Sequence, residues 1–218
     1  MNYTLKHADC MDIMPTMANN SVDFTLTDIP YDMVNRNDNG LRNLNKGKAG
    51  ILTFDLNKFL NEIYRVTKNT IVVFCDVNQV SEIFNFFANK QASKKGTTRQ
   101  LIWSKTNPSP MNGDYIYLSS IENAIWFKKR GGVFNPHCKG CVFTHPCGRS
   151  KLHPTEKNHE LLKELILDNT NEGDWVFDPC MGSGSHGKVA LENGRKFAGI
   201  ELDDKYFEIA KENIKGVK

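Results

Sequence analysis

The stretch WVFDPCMGSGSHGKVALENGRKFAGIELD, residues 175–203, constrains the fold more than any other part of the chain. An apolar run gives way to Asp178-Pro179, then to a glycine-rich turn and a helix-like segment. A second apolar run follows and ends at Glu201. Gly182, Gly184 and Gly187 match G-x-G-x-x-G, and Glu201 follows Gly182 by 19 residues, close to the spacing at which an acid reaches two ribose hydroxyls. Glycine lets the backbone take positive φ and pass close to a ligand. Strand, turn, helix, strand and acid in that order predict one half of an open α/β sheet with a nucleoside-bearing ligand at its strand ends.

The rest of the chain extends this pattern. Apolar, β-branched and aromatic runs predict strands at 4–7, 22–27, 70–75, 99–104, 122–127, 174–177 and 196–201. Helical spacing predicts helices at 54–66, with Thr53 as N-cap, at 80–87, around Leu161, Leu162, Leu165 and Ile166, and at 203–214. Strands alternating with helices imply a single, mostly parallel α/β domain over 1–218. Strands 22–27, 174–177 and 196–201 run into Asp28, Asp178 and Glu201, which places three carboxylates where such sheets put their ligands. Two stretches lack periodicity: 35–50, read as a mobile loop, and 131–151, read as an irregular insert.

Composition narrows the context. No apolar run reaches the roughly 20 residues that cross a bilayer, and the N-terminus lacks a signal-peptide layout, so a cytoplasmic protein is expected. The net charge of +3 is too mild to announce nucleic acid. Its clusters, Arg36 to Lys48, Lys90 to Arg99 and Lys128 to Arg130, together suit a protein that meets phosphate at several points. Cys138-x-x-Cys141 with His145 and Cys147 supplies zinc-ligand types, but the second half is spaced too tightly for a usual knuckle, and no metal is assigned.

The glycine turn alone leaves two ligands open, a dinucleotide and S-adenosylmethionine. Asp178 ahead of the glycines favours the second, because an acid there meets a cationic amino-acid group and repels a pyrophosphate. An oxidoreductase using NAD would leave TDIPYD at 27–32 and HPTEK at 153–157 without a role.

Five stretches in order resemble the amino-methyltransferases that act on DNA bases. SVDFTLTDIPYD resembles their Asp-Pro-Pro-Tyr motif, RQLIWSKTNPSP a following strand and loop, and HPTEKNHELLKELI their His-Pro-Thr-Gln-Lys-Pro motif. VFDPCMGSGSHG and RKFAGIELDDKYFEIAKENI resemble their cofactor loop and the strand and helix after it. Catalytic motif first and cofactor motif last is the circularly permuted order of the β class, on a Rossmann-like fold. The departures are Ile29 for a proline, Cys180 for a phenylalanine, Ser185 and His186 for threonine-like residues, and Asn158 for a proline.

The resemblance implies an enzyme that takes a methyl group from S-adenosylmethionine and places it on N6 of adenine in DNA after base flipping. Cytosine N4 is the alternative, and RNA or protein acceptors are more distant ones; an Asp at the leading position favours adenine. It implies Asp28, Ile29, Pro30 and Tyr31 as catalytic residues, the first two as acceptors for the amine, Pro30 setting the angle and Tyr31 stacking on the base. It implies Asp9, Asp28, His153, Thr155, Lys157, Asp178, Pro179, Gly182, Ser183, Gly184, Glu201 and Leu202 around the cofactor. Asp9 reads equally well as a helix N-cap. Regions 35–50 and 131–151 are left as the only room for target recognition, and a homodimer would extend the DNA contacts.

Overall fold

The computed structural model describes residues 2–30, 54–110, 113–148 and 157–217. Among these residues eight strands form one sheet: β1 (Tyr3–His7), β2 (Val22–Asp28), β3 (Thr67–Cys75), β4 (Gly96–Lys105), β5 (Ile121–Lys129), β6 (Val142–His145), β7 (Trp175–Asp178) and β8 (Lys196–Glu201). They lie in the order β1-β8-β7-β2-β3-β5-β4-β6. Every neighbouring pair is parallel except those that β5 makes with β3 and β4, so β5 alone runs backwards.

Among the described residues six α-helices cover the sheet: α1 (Cys10–Ile13), α2 (Leu56–Val66), α3 (Val80–Ala92), α4 (His159–Asn169), α5 (Ser185–Glu192) and α6 (Asp204–Lys215). The period-two alternation of the strands sorts side chains onto two faces. On β3, Ile71, Val73 and Cys75 pack with α1, α2 and α3, while Val72 and Phe74 point to the other face, where α4, α5 and α6 contribute Leu161, Leu165, Val189, Ala190, Ala210 and Ile214. Both faces are buried, which is why the strands read as nearly continuous apolar runs.

Most expected elements appear within a few residues of their bounds. Two expectations change. Helix α2 is capped by Asp55, whose carboxylate accepts from the Lys58 amide at 3.1 Å; Thr53, the expected cap, lies outside the described residues. The insert 131–151 is not irregular throughout, because Val142–His145 forms β6, parallel to β4. The loop expected at 35–50 also lies outside the described residues.

The chain leaves β7 for β8 on one side and β2 for β3 on the other, so β7 and β2, joined at Phe24↔Val176 and Thr25↔Phe177, form the switch point. The crevice outside the carboxyl ends at such a point is where open α/β sheets bind ligands. Because β5 runs backwards, its first residues reach this same edge.

Candidate active site

On the cofactor-loop side of the crevice, β7 ends in Asp178, which is 1 % exposed. One carboxylate oxygen accepts from the Cys180 amide at 3.0 Å and the other meets His186 Nδ1 at 2.6 Å. Both oxygens of the acid expected to greet a cationic ligand group are thus already engaged, and His186 is the buried partner. The glycines behind it do three different things. Gly182 has φ +52° and nothing within 4 Å of the place a Cβ would occupy, so the turn opens onto free space. Gly184 has φ +78° and lies against Ala210. Gly187 has an ordinary φ but packs so tightly that a Cβ would come within 2.5 Å of the Phe197 ring.

Glu201, at the end of β8, clasps this turn. It accepts from the amides of Gly182 at 2.8 Å, Leu202 at 2.9 Å and Asp203 at 2.8 Å. A carboxylate offers about four acceptor positions, so about one is left for a hydroxyl. Burial, with Asp178 nearby, raises the Glu201 carboxyl above its ordinary range despite the three amides. Beside it Leu202 is exposed and Ser183 is buried. Cys180 is turned to Cys10, whose hydrogen bond, together with burial, pushes the Cys180 thiol up. Asp9 caps α1, its Oδ1 accepting from the Met11 amide at 2.8 Å.

Across the switch point, β2 ends in Asp28. Its Oδ2 lies 2.8 Å from Lys157 Nζ, and Lys157 is 4 % exposed. Its Oδ1 is buried and, like the neighbouring Thr27 Oγ1, has no hydrogen-bond partner among the described residues. Buried acceptors without a donor are rare in folded proteins and call for an explanation; an incoming amine or hydroxyl supplies one. Ile29 is 1 % exposed and packs in the core, while its amide donates to the Phe74 carbonyl at 3.3 Å. The Pro30 carbonyl accepts from Gln79 Nε2 at 3.1 Å.

Lys157 holds a second carboxylate, Glu122 Oε2, at 2.7 Å, and Glu122 Oε1 pairs with Lys105 Nζ at 2.8 Å. Burial works to raise the Glu122 carboxyl, but Lys157 and Lys105 outweigh it and hold it below its ordinary range. Lys157, expected around the cofactor, is seated between two acids, 5.0 Å from the Phe74 ring centroid.

Of the expected site residues, Asp28, Ile29, Pro30, Lys157, Asp178, Pro179, Gly182, Ser183, Gly184, Glu201 and Leu202 fall along this one edge, with Asp9 just past the end of β1. Tyr31, His153 and Thr155 lie outside the described residues. Glu122, Lys105 and Gln79 were not anticipated. Glu122 looked like the charged start of a buried strand, and only the reversal of β5 carries it to the site. Cys138, Cys141, His145 and Cys147 do not assemble: His145 pairs with Glu164 at 2.8 Å, Cys138 is exposed, and no group of three such ligands gathers among the described residues.

Two of the basic clusters sit elsewhere. Gly96 of β4 pairs with Lys129 of β5, and the Arg130 amide donates to the Lys95 carbonyl, so Lys94, Lys95 and 128–130 lie at the edge opposite the site. The cluster at 36–48 lies outside the described residues.

Comparison with known proteins agrees with this geometry. The family model described as DNA methylase matches residues 135–212. "Putative methylase YubD" of Escherichia coli (strain K12) is 31% identical over 214 residues, 96% of this chain and 89% of that protein. Type II methyltransferase M.HinfI of Haemophilus influenzae is 26% identical over 250 residues, 99% of this chain and 69% of the relative. The solved complex of M1.HpyAVI with SAM superposes with a TM-score of 0.75 at 27% identity, over 97% of this chain and 98% of that one. A crevice at the switch point, a glycine turn clasped by Glu201 and an acid-Ile-Pro turn beside it, in the permuted order, identify the chain as a member of the β class of DNA amino-methyltransferases.

Proposed function

We propose that the chain methylates the N6 amine of adenine in DNA, using S-adenosylmethionine. The observation that carries this reading is Asp28: one oxygen is fixed by Lys157 and the other is buried without a donor among the described residues, at the mouth of the crevice that Gly182 opens. The residues present fit the cofactor. There is free space above Gly182, a remaining acceptor position on Glu201, and exposed apolar surface at Leu202. When bound, S-adenosylmethionine supplies a methyl group on a positively charged sulfur.

An exocyclic amine is a poor nucleophile because its lone pair is delocalised into the ring. Asp28 Oδ1 and the Ile29 carbonyl can each accept one of its two N–H bonds, which favours a tetrahedral nitrogen and frees the lone pair to form the N–C bond. Help given only in the transition state accelerates the reaction. The nitrogen would take the methyl group from a bound sulfonium, which keeps the C–S electron pair. The nitrogen then sheds one proton along its hydrogen bond to Asp28 Oδ1 and on to water. Gln79, holding the Pro30 carbonyl, keeps the turn in register.

The amine is inaccessible in a duplex, so the base must be flipped. The β4–β5 loop at the same edge exposes Tyr115, Ile116 and Tyr117, aromatic and apolar surface of the kind on which bases stack. Adenine is favoured over cytosine by the acid at the leading position of the motif.

Expression in methylation-free cells, followed by modification-sensitive sequencing of the genomic DNA, tests the reading. N6-methyladenine at a recurring site is expected. N4-methylcytosine would replace adenine as the target, and unmodified DNA from folded protein that binds S-adenosylhomocysteine would remove DNA as the substrate. Asp28→Ala is expected to abolish transfer and to leave S-adenosylhomocysteine affinity within about twofold, since Asp28 is assigned to the amine; an equal loss of both would overturn that division.

A further inference from the structure

Four charges alternate along the acceptor side of the site. Lys105 Nζ lies 2.8 Å from Glu122 Oε1, Glu122 Oε2 lies 2.7 Å from Lys157 Nζ, and Lys157 Nζ lies 2.8 Å from Asp28 Oδ2. They come from four parts of the chain: β4, the reversed strand β5, the segment before α4, and the end of β2. Lys157 and Lys105 are 4 % and 13 % exposed, so both ammoniums are largely desolvated and each depends on its carboxylates.

An ammonium is a compact cation with three donors and no directional plane. Facing Asp28 alone, it would settle between the two carboxylate oxygens and neutralise both. Glu122 prevents this by claiming one donor from the opposite side, so Lys157 reaches Asp28 through Oδ2 only. Oδ1 is the oxygen left without a hydrogen-bond partner among the described residues. Lys105 in turn fixes Glu122 from outside and balances its charge.

Resting on the methyl-transfer reading, we infer that Glu122 is a positioning residue: backed by Lys105, it draws Lys157 to one oxygen of Asp28 and reserves the other for the target amine. Its carboxylate contacts Lys157 and Lys105, and its assigned role runs through Lys157. Its effect is to make the two oxygens of one carboxylate different, one a counter-ion for protein and one an acceptor for substrate.

Glu122→Gln keeps the shape and removes the charge. Single-turnover transfer of labelled methyl groups from S-adenosylmethionine to DNA from methylation-free cells should slow by about tenfold or more, because a hydrogen bond to a charged group in the transition state is lost. KM for DNA and affinity for S-adenosylhomocysteine should stay within about twofold, since the assigned role of Glu122 runs through Lys157. Glu122→Asp should recover part of the rate, and Lys105→Met should slow transfer in the same direction by less.

The pH profile separates positioning from general loosening. Among the described residues, the titratable groups packed around Lys157 and Asp28 include Glu122, Lys105, Cys75 and Asp76. The Cys75 thiol is pushed up to about 12 by burial and then by Asp28 and Asp76, against Lys157, and so stays neutral. With Glu122 uncharged, the Lys157 ammonium loses an anion and gives up its proton more easily, so the alkaline fall in rate should begin at lower pH in Glu122→Gln than in the wild type. A slower rate with an unmoved profile, or an unchanged rate, would overturn the inference. If Glu122→Gln does not fold, Glu122→Asp and Lys105→Met decide by the same two readouts. A wild-type chain that transfers no methyl group to DNA overturns the proposed function and this inference with it. An active wild type with an unaffected Glu122→Gln overturns the inference alone.

Discussion

Ile29 stands where the motif usually has proline, and its surroundings explain why the exchange is tolerated. The side chain is buried with the α1, α2 and α3 face of the core, and the amide that proline would lack donates to Phe74. In the proposed reaction only its carbonyl faces the amine. Stability and catalysis therefore separate at this position. Ile29→Ala should cost about 2–5 kcal/mol in urea unfolding, the range for emptying a buried aliphatic site. The rate per folded molecule should fall less than tenfold, because the backbone acceptor remains. A loss of activity far beyond the loss of folded protein would show that the side chain itself shapes the acceptor. The sequence carried Asp28, Ile29 and the glycines because local order and chemistry mark them. It could not carry Gln79, whose contact with Pro30 joins the turns after two neighbouring strands through an otherwise ordinary amide at the start of a helix.

Among the elements, α5 shows how one motif mixes two demands. Gly182 and Gly184 serve the turn through positive φ, whereas Gly187 lies where the helix presses on the Phe197 ring of β8 and on Ile214 of α6. Gly187→Ala should destabilise the fold by about 1–3 kcal/mol through overpacking. S-adenosylhomocysteine affinity of the folded fraction, measured by calorimetry, should be nearly unchanged. Gly182→Ala meets no steric neighbour, so its expected defect is the reverse: about 1–2 kcal/mol of backbone strain with a weakened cofactor site. The helices and the long strands were legible because burial on one or both faces writes a period into the sequence. β6 was not. It is 4 residues long, with Phe143 buried between exposed Val142 and Thr144, too little to register as alternation. The direction of β5 was equally hidden, since a buried strand reads the same both ways, and with it went Glu122.

At the scale of the molecule, two of the three basic clusters lie, among the described residues, at the edge opposite the crevice. Lys94, Lys95 and Lys128 to Arg130 gather at the edge away from the crevice, and the exposed aromatics of the β4–β5 loop stand beside it. DNA affinity should follow this division. Lys94→Gln with Lys95→Gln should leave the affinity and its salt dependence within about twofold, because those side chains neutralise no contacted phosphate. Tyr115→Ala with Tyr117→Ala should weaken binding by about tenfold or more, as expected when base stacking is removed. Fluorescence anisotropy over a salt series would read both, and the opposite ranking would place the DNA on the other edge.

The pairing of Lys157 with Asp28 joins residues more than half the chain apart in sequence. Neither partner can find the other until the segment leading into α4 has docked against the sheet that carries β2. A chain with only its cofactor loop assembled would hold an Asp28 without its counter-ion, and so without one oxygen set aside for an amine. On the proposed reading, readiness for chemistry thus waits on that docking.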